Sequence, residues 1–148
     1  MTELVEVAIE KALLDRAQSF ATTNSITISL PNIAFTPPAV GQAAKYLKAS
    51  GLPADNATIG VSNSSSNQYL GLLQIDVFYG KGGGERAPKR IAADIVEYFA
   101  RGTRMVVDGF KIEVLQTPRL APLIHGENWV QLPVRIPYNC FAIPAVAG

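Results

Sequence analysis

The spacing of apolar and polar residues changes several times along this chain, and each change marks an element. From Thr2 to Phe20, Leu4, Val5, Ala8, Ile9, Ala12, Leu13 and Ala17 recur at helical spacing, with Glu3, Glu6, Glu10 and Lys11 on the other face. That predicts an amphipathic helix. Thr2 is placed to cap it, and the acidic residues suit its first turns. Ala21-Thr-Thr-Asn ends it. Ser25 to Leu30 then alternates strictly, with Ile26, Ile28 and Leu30 on one side. This predicts a half-buried strand, stopped by Pro31 and Asn32. The segment after it contains Pro37 and Pro38, which remove backbone donors and fix φ, so it is expected to cross the end or edge of a sheet. Gln42 to Ser50 fits a short helix through Ala43, Ala44, Tyr46 and Leu47, or a strand in which Tyr46 and Lys48 alternate with Leu47. Pro53 and Asp55-Asn56 predict a turn and Ala57 to Val61 a further β segment. Ser62 to Asn67 is polar throughout and is expected to be an exposed, mobile loop.

The second half is more regular. Tyr69 to Tyr79 sets Leu73, Ile75 and Val77 against Gln74, Asp76 and Phe78, a long and largely apolar strand expected at the centre of a sheet. Gly80-Lys-Gly-Gly-Gly84 follows. Arg86 to Phe99 predicts a second helix with Ile91, Ala92, Ile95 and Phe99 inward. Pro88 lies near its first turn, Arg90 and Asp94 are spaced i,i+4, and Gly102 is the stop. Met105 to Leu115 predicts a hairpin about Asp108-Gly109. Gln116 to Gly126 is expected to be loop. Trp129 to Ile136 alternates as a last strand, where Pro133 predicts an edge or a bulge. Pro137 onward has no periodicity and reads as a tail. The sum is an α+β domain over residues 1–138, a mostly antiparallel sheet with two helices packed on one face, and a C-terminal tail over 139–148.

Composition narrows the chemistry. The chain of 148 residues is one domain long, and it can bury roughly 70% of the surface its unfolded form exposes. Its net charge of +1 gives no electrostatic footprint for nucleic acid. No apolar run approaches the length of a membrane span, and the acidic start is unlike a signal peptide. One cysteine excludes an internal disulfide, and one His with one Cys leaves no zinc set. The charged fraction of 17% is low for a solitary subunit and hints at surface covered by a partner.

Each candidate for chemistry has a plainer reading. The Gly80–Gly84 turn sits where phosphate loops sit, but it matches neither G-x-x-x-x-G-K-[ST] nor G-x-G-x-x-G, and a flexible connection is favoured. His125 has no orienting partner in sequence and Cys140 falls in the expected tail, so neither is offered as catalytic. Asp76 has no second carboxylate nearby and is read as facing solvent or a neighbouring subunit. Lys89, Arg90, Arg101 and Arg104 cluster toward the end of the second helix, suited to an acidic protein surface or simply to the helix C-terminus. Trp129 and Tyr138 are read as core and rim. No catalytic, cofactor or metal site is predicted.

Taken in order, the Ile-Thr-Ile strand after a first helix, Asn32-Ile-Ala-Phe-Thr-Pro-Pro38, Tyr46-Leu-Lys48, Gly71-Leu-Leu-Gln-Ile-Asp-Val-Phe78 with its glycine turn, Phe99-Ala-Arg-Gly-Thr103 and Trp129-Val-Gln-Leu-Pro-Val-Arg-Ile-Pro137 resemble the tail terminator, or tail completion, proteins of long-tailed bacteriophages and prophages. The resemblance covers nearly the whole chain and is specific only as an ordered set. The stretch from Tyr46 to Asn67 departs from the family pattern, which alternates more cleanly; the family pattern also puts a strand at Gln42 to Ser50. The resemblance implies a small α+β subunit, without catalysis, that forms a hexameric ring. The ring caps the tail tube, stops its polymerisation and offers a surface to the head connector. The implied partners are other copies of the chain, the tail tube protein and the head-tail connector protein, at the head-proximal end of the virion tail after assembly in the host cytoplasm. On that reading Asn63, Ser64, Ser65, Lys81 and Arg86 are candidates for the ring's contacts, and Arg101 and Arg104 for salt bridges to a subunit or the tube. Another head-tail joining adaptor or minor tail protein of similar fold is the alternative, and a small enzyme taking a phosphorylated ligand a more distant one.

Overall fold

The computed structural model describes residues 5–41, 43–53, 57–58, 67–107 and 110–142. Helix α1 spans Val5–Thr23 and α2 spans Arg86–Tyr98. The strands are β1 (Ile28–Ser29), β2 (Lys45–Pro53), β3 (Ala57–Thr58), β4 (Asn67–Gly80), β5 (Arg104–Val107), β6 (Phe110–Val114), β7 (Arg119–Leu120), β8 (Ile124–His125) and β9 (Trp129–Ala142). One sheet runs β1-β2-β4-β9-β6-β5, with β3 against β4 and both β7 and β8 against β9. All pairs are antiparallel except β1 with β2, where a short parallel pair follows the long proline-containing crossover. The expected α+β architecture is therefore present, and the ambiguous stretch ending at Ser50 is strand from Lys45 onward.

The core lies on one face of this sheet. Strands β4 and β9 pair along 14 residues each, from Asn67↔Ala142 to Gly80↔Trp129. Leu73, Ile75 and Val77 of β4 point with Leu132, Val134 and Ile136 of β9 into a single cluster. Both helices pack there: α1 reaches β2, β4, β5 and β6, and α2 lies over β4 and β9. The buried face of α1 is rich in alanine (Ala8, Ala12, Ala17, Ala21), which brings its backbone close to the strands.

Several boundaries differ from the sequence reading. Helix α1 continues past Phe20 because its end is closed by backbone bonds: the Ile26 N–H donates to the Ala21 carbonyl (2.9 Å) and the Ser25 N–H to the Thr22 carbonyl (3.2 Å). That is a Schellman arrangement with Ser25 left-handed (φ 55) where glycine is usual. The turn consumes the start of the predicted Ser25–Leu30 strand, and only Ile28–Ser29 remains. Ile26 is nevertheless buried, and Ile28 and Leu30 pack against the core. The last strand does not stop at Ile136, nor does a tail begin at 139: β9 continues to Ala142, held by β4 on one side and β6 at Cys140, Asn139 and Tyr138 on the other. Cys140 is accordingly a fully buried core residue rather than part of a tail.

Pro133 does not mark an edge or a bulge. Its carbonyl accepts from the Ala121 N–H (2.9 Å), and that of Pro137 accepts from the Leu115 N–H (3.0 Å). Within a strand a residue's N–H and C=O point the same way. Both missing donors therefore face the β6–β7 side, where pairing is short and broken, and the β4 ladder loses nothing. The expected loop 116–126 supplies that broken side through β7 and β8. Asn67 belongs to β4 rather than to the polar loop. The predicted Asp108-Gly109 turn, Thr2, Leu4, Asp55-Asn56 and most of the Ala57–Val61 segment lie outside the described residues, although Val107↔Phe110 pairs as a two-residue connection requires.

Candidate assembly surfaces

The sheet's second face carries no helix among the described residues. Register places its residues in rows across the strands: Tyr46, Phe78, Gln131 and Ile124; then Lys48, Asp76 and Pro133; then Ser50, Gln74, Arg135 and Arg119; then Leu52, Leu72 and Pro137. The first row forms an aromatic cluster. The Tyr46 ring stacks on Phe78 at 4.5 Å and 2°, with Trp129 edge-on at 5.1 Å and Phe35 at 5.4 Å. The cluster ties the proline-rich segment and the start of β9 to the sheet. Burial holds the Tyr46 hydroxyl above its usual range, and the negative charge of Asp76 adds to this.

Asp76 faces this side, as its alternation predicts, but it does not face solvent. It is 5% exposed, flanked by Gln74 and Phe78 on β4 and by Lys48 and Pro133 across it, and its Oδ1 accepts from Gln74 Nε2 at 3.0 Å. The third row is different. Arg119 stands directly opposite Arg135, both exposed. Arg135 Nε donates to Gln74 Oε1 at 3.4 Å, a weak bond. Beside the two arginines is a groove of about 450 Å³ lined by Leu72, Leu120, Pro122 and Pro137.

On the helix side a second groove, of about 260 Å³, opens between α1 and the Ser50–Gly51 edge of β2. Strand β1 covers β2 only at Leu47 and Lys48, which leaves this edge without a strand partner among the described residues. Ile9, Leu13, Leu73 and Tyr138 make the groove apolar, and Glu6 and Glu10 stand at its lip. Burial raises the Tyr138 hydroxyl pKa, with Glu10 adding to the effect. Cys140, behind it, is also raised by burial, which keeps the thiol protonated and unreactive.

The described residues among those singled out from sequence, Lys81, Arg86, Arg101 and Arg104, do not gather at one place. Asn63, Ser64 and Ser65 lie outside the described residues. Lys81 is exposed, but its Nζ donates to the Gly126 carbonyl (3.0 Å), tying the glycine turn to the loop before β9. Gly82 and Gly84 take positive φ there, a local reason for the glycines that needs no phosphate. Arg86 begins α2 while Arg101 and Arg104 follow its end, about 20 Å away at 1.5 Å per residue. Arg104 pairs with Glu113 across the β5–β6 hairpin at 3.3 Å. On α2 the i,i+4 pair that forms is Lys89 with Glu85 at 2.9 Å, not Arg90 with Asp94. The grooves themselves were not legible in sequence: Arg119 and Arg135 are 16 positions apart, and only strand register sets them side by side.

Among the described residues, no three His, Cys, Asp or Glu side chains gather as a metal group. No described helix is long and apolar enough to cross a membrane.

These features define an α+β domain whose polar and apolar side chains are displayed on two unlike surfaces. A family model described as phage tail terminator protein matches residues 8–138, and the chain belongs to that family. No curated protein matches the chain. A solved structure carrying no descriptive name is 26% identical, with 95% of this chain and 96% of the other covered and a TM-score of 0.70. Another, from the virion of a native gene transfer agent particle, is 11% identical over 95% of this chain and 100% of its own, with a TM-score of 0.66. The second likeness is one of fold.

Proposed function

We propose that this phage tail protein forms a ring, of six subunits as the family resemblance implies, that sits on the end of the polymerised tail tube. The ring stops tube growth and presents a surface to the head connector. The family match over residues 8–138 carries this reading. The fold supports it: a subunit with helices on one sheet face and an open second face offers two different surfaces, as head-to-tail contacts require. Such contacts close into a ring when the rotation between neighbours is right. One ring face would repeat the tube's own subunit interface while the other lacks it, so addition stops by loss of a docking surface. The role is structural, in the virion at the head-proximal end of the tail, after assembly in the host cytoplasm. Its partners are other copies of itself, the tube protein and the connector protein.

The test is the mass of the purified protein by light scattering across a concentration series, with and without purified tail tubes. The expected result is a ring, or a monomer recruited to tube ends in fixed ratio, and overlong tails in virions lacking the protein. A monomer indifferent to tubes would overturn the reading and favour a connector-side adaptor.

A further inference from the structure

We infer that neighbouring copies join by seating the Arg119–Arg135 side of one sheet in the Glu6–Glu10 groove of the next, an inference that rests on the ring reading above. Each half is electrostatically unfavourable in the free subunit. Glu6 and Glu10 are one helical turn apart, and like charges at i,i+4 destabilise a helix. Arg119 and Arg135 are directly opposed across strands, which is destabilising for the same reason. Among the described residues the ion pairs are Lys89 with Glu85 and Arg104 with Glu113, so none of these four charges is offset within the described part of the subunit.

One contact relieves both pairs. The spacings correspond: about 6 Å of rise between the glutamates and about 5 Å between opposed strand residues. Apolar surface accompanies each pair. Leu72 and Pro137 line the groove beside the two arginines, and the groove behind Glu6 and Glu10 is lined by Leu13, Leu73 and Tyr138. The occupant is a second copy because one chain carries both halves of the match. The halves lie on opposite faces of the sheet, α1 packing on the core face while Arg135 shares the open face with Gln74. The contact is therefore heterologous and can repeat around a ring.

The experiment uses two full-length variants, Glu6→Arg/Glu10→Arg and Arg119→Glu/Arg135→Glu, each checked for folding by circular dichroism. Mass is measured alone, mixed one to one, and with tail tubes. The wild type is expected to form the ring, each variant alone to associate at least about tenfold more weakly, and the mixture to recover the ring by alternating the two. Recovery of the closed ring on mixing, rather than of a nonspecific association, is what direct contact between the two patches predicts. Variants that still assemble alone, or folded variants whose mixture stays monomeric, overturn the contact and leave the ring reading standing. A wild type that stays monomeric even with tubes overturns both. If a reversal variant does not fold, the neutral pairs Glu6→Gln/Glu10→Gln and Arg119→Gln/Arg135→Gln replace it; loss of association supports the contact and full retention overturns it.

Discussion

Gly71 lies on the core side of β4, opposite Tyr138 of β9. A β-carbon there would collide with the Tyr138 phenol and come within 2.9 Å of the Leu52 carbonyl oxygen. The glycine leaves room for the tyrosine ring to lie across the strand, where it lines the groove behind Glu6 and Glu10. Gly71→Ala is expected to cost about 1–3 kcal/mol by overpacking. Gly71→Ala combined with Tyr138→Leu should cost less than the two single changes added together, because the second change removes the clash. Urea denaturation of the three variants checks this, and strict additivity would rule the clash out as the cause. In sequence Gly71 reads only as an interruption of an apolar strand. Its reason is a residue 67 positions later that register brings opposite it. Cys140 shows the same limit: without a partner strand in view its surroundings carry no period, and pairing with both β4 and β6 makes it core.

Between elements, Arg16 latches the two helices together, beside the edge-on contact of Phe20 with Tyr98. Arg16 of α1 donates through a terminal guanidinium nitrogen to the Tyr98 carbonyl at the end of α2 (2.6 Å). Its guanidinium lies 4.3 Å from the Tyr98 ring centre and 5.4 Å from that of Phe99. A cation at a helix C-terminus offsets the macrodipole. A charged hydrogen bond contributes about 1.5–3 kcal/mol and the stacked ring about 0.5–2. Against them, Arg16 Nε is buried without a partner, a cost of about 1–3 kcal/mol. The favourable terms win by a small margin, so Arg16→Met is expected to destabilise by about 1–2 kcal/mol. Arg16→Lys, which keeps the charge and loses the planar stack, should fall between. Chemical denaturation measures both, and a neutral Arg16→Met would show that the orphaned nitrogen cancels the latch. Both helices were legible from their periodicity. The latch was not, since Arg16 and Tyr98 are 82 positions apart.

For the whole molecule, the residues that hold the fold differ from those proposed for assembly. Arg104 and Glu113 form an exposed cross-strand pair outside the core. Arg104→Glu sets two carboxylates opposite each other, a cost of about 0.2–1 kcal/mol. A fall in Tm of at most about 2–4 °C is expected. If Arg104 also contacts a neighbour or the tube, tail length control and infectivity should fall far more than that shift explains. Normal tails with the same Tm shift would confine Arg104 to its hairpin. The core face and the edges differ in this respect: removing a core residue tests the fold, while changing Glu6, Glu10, Arg119 or Arg135 tests the surface.

The sequence by itself determined the two helices, the long central strand, the hairpin and the α+β class, because hydrophobic period is a local property set by which side of an element must be buried. As an ordered set, its motifs also carried the likeness to tail terminators. Tertiary structure decided what depends on pairing: where the first helix gives way to strand, how far β9 runs, why Pro133 is harmless in mid-sheet, and why Asp76 is buried on the open face. It also brought Arg119 beside Arg135 and opened a groove behind Glu6 and Glu10. Register and helix docking act between residues far apart in the chain, and no local pattern records them.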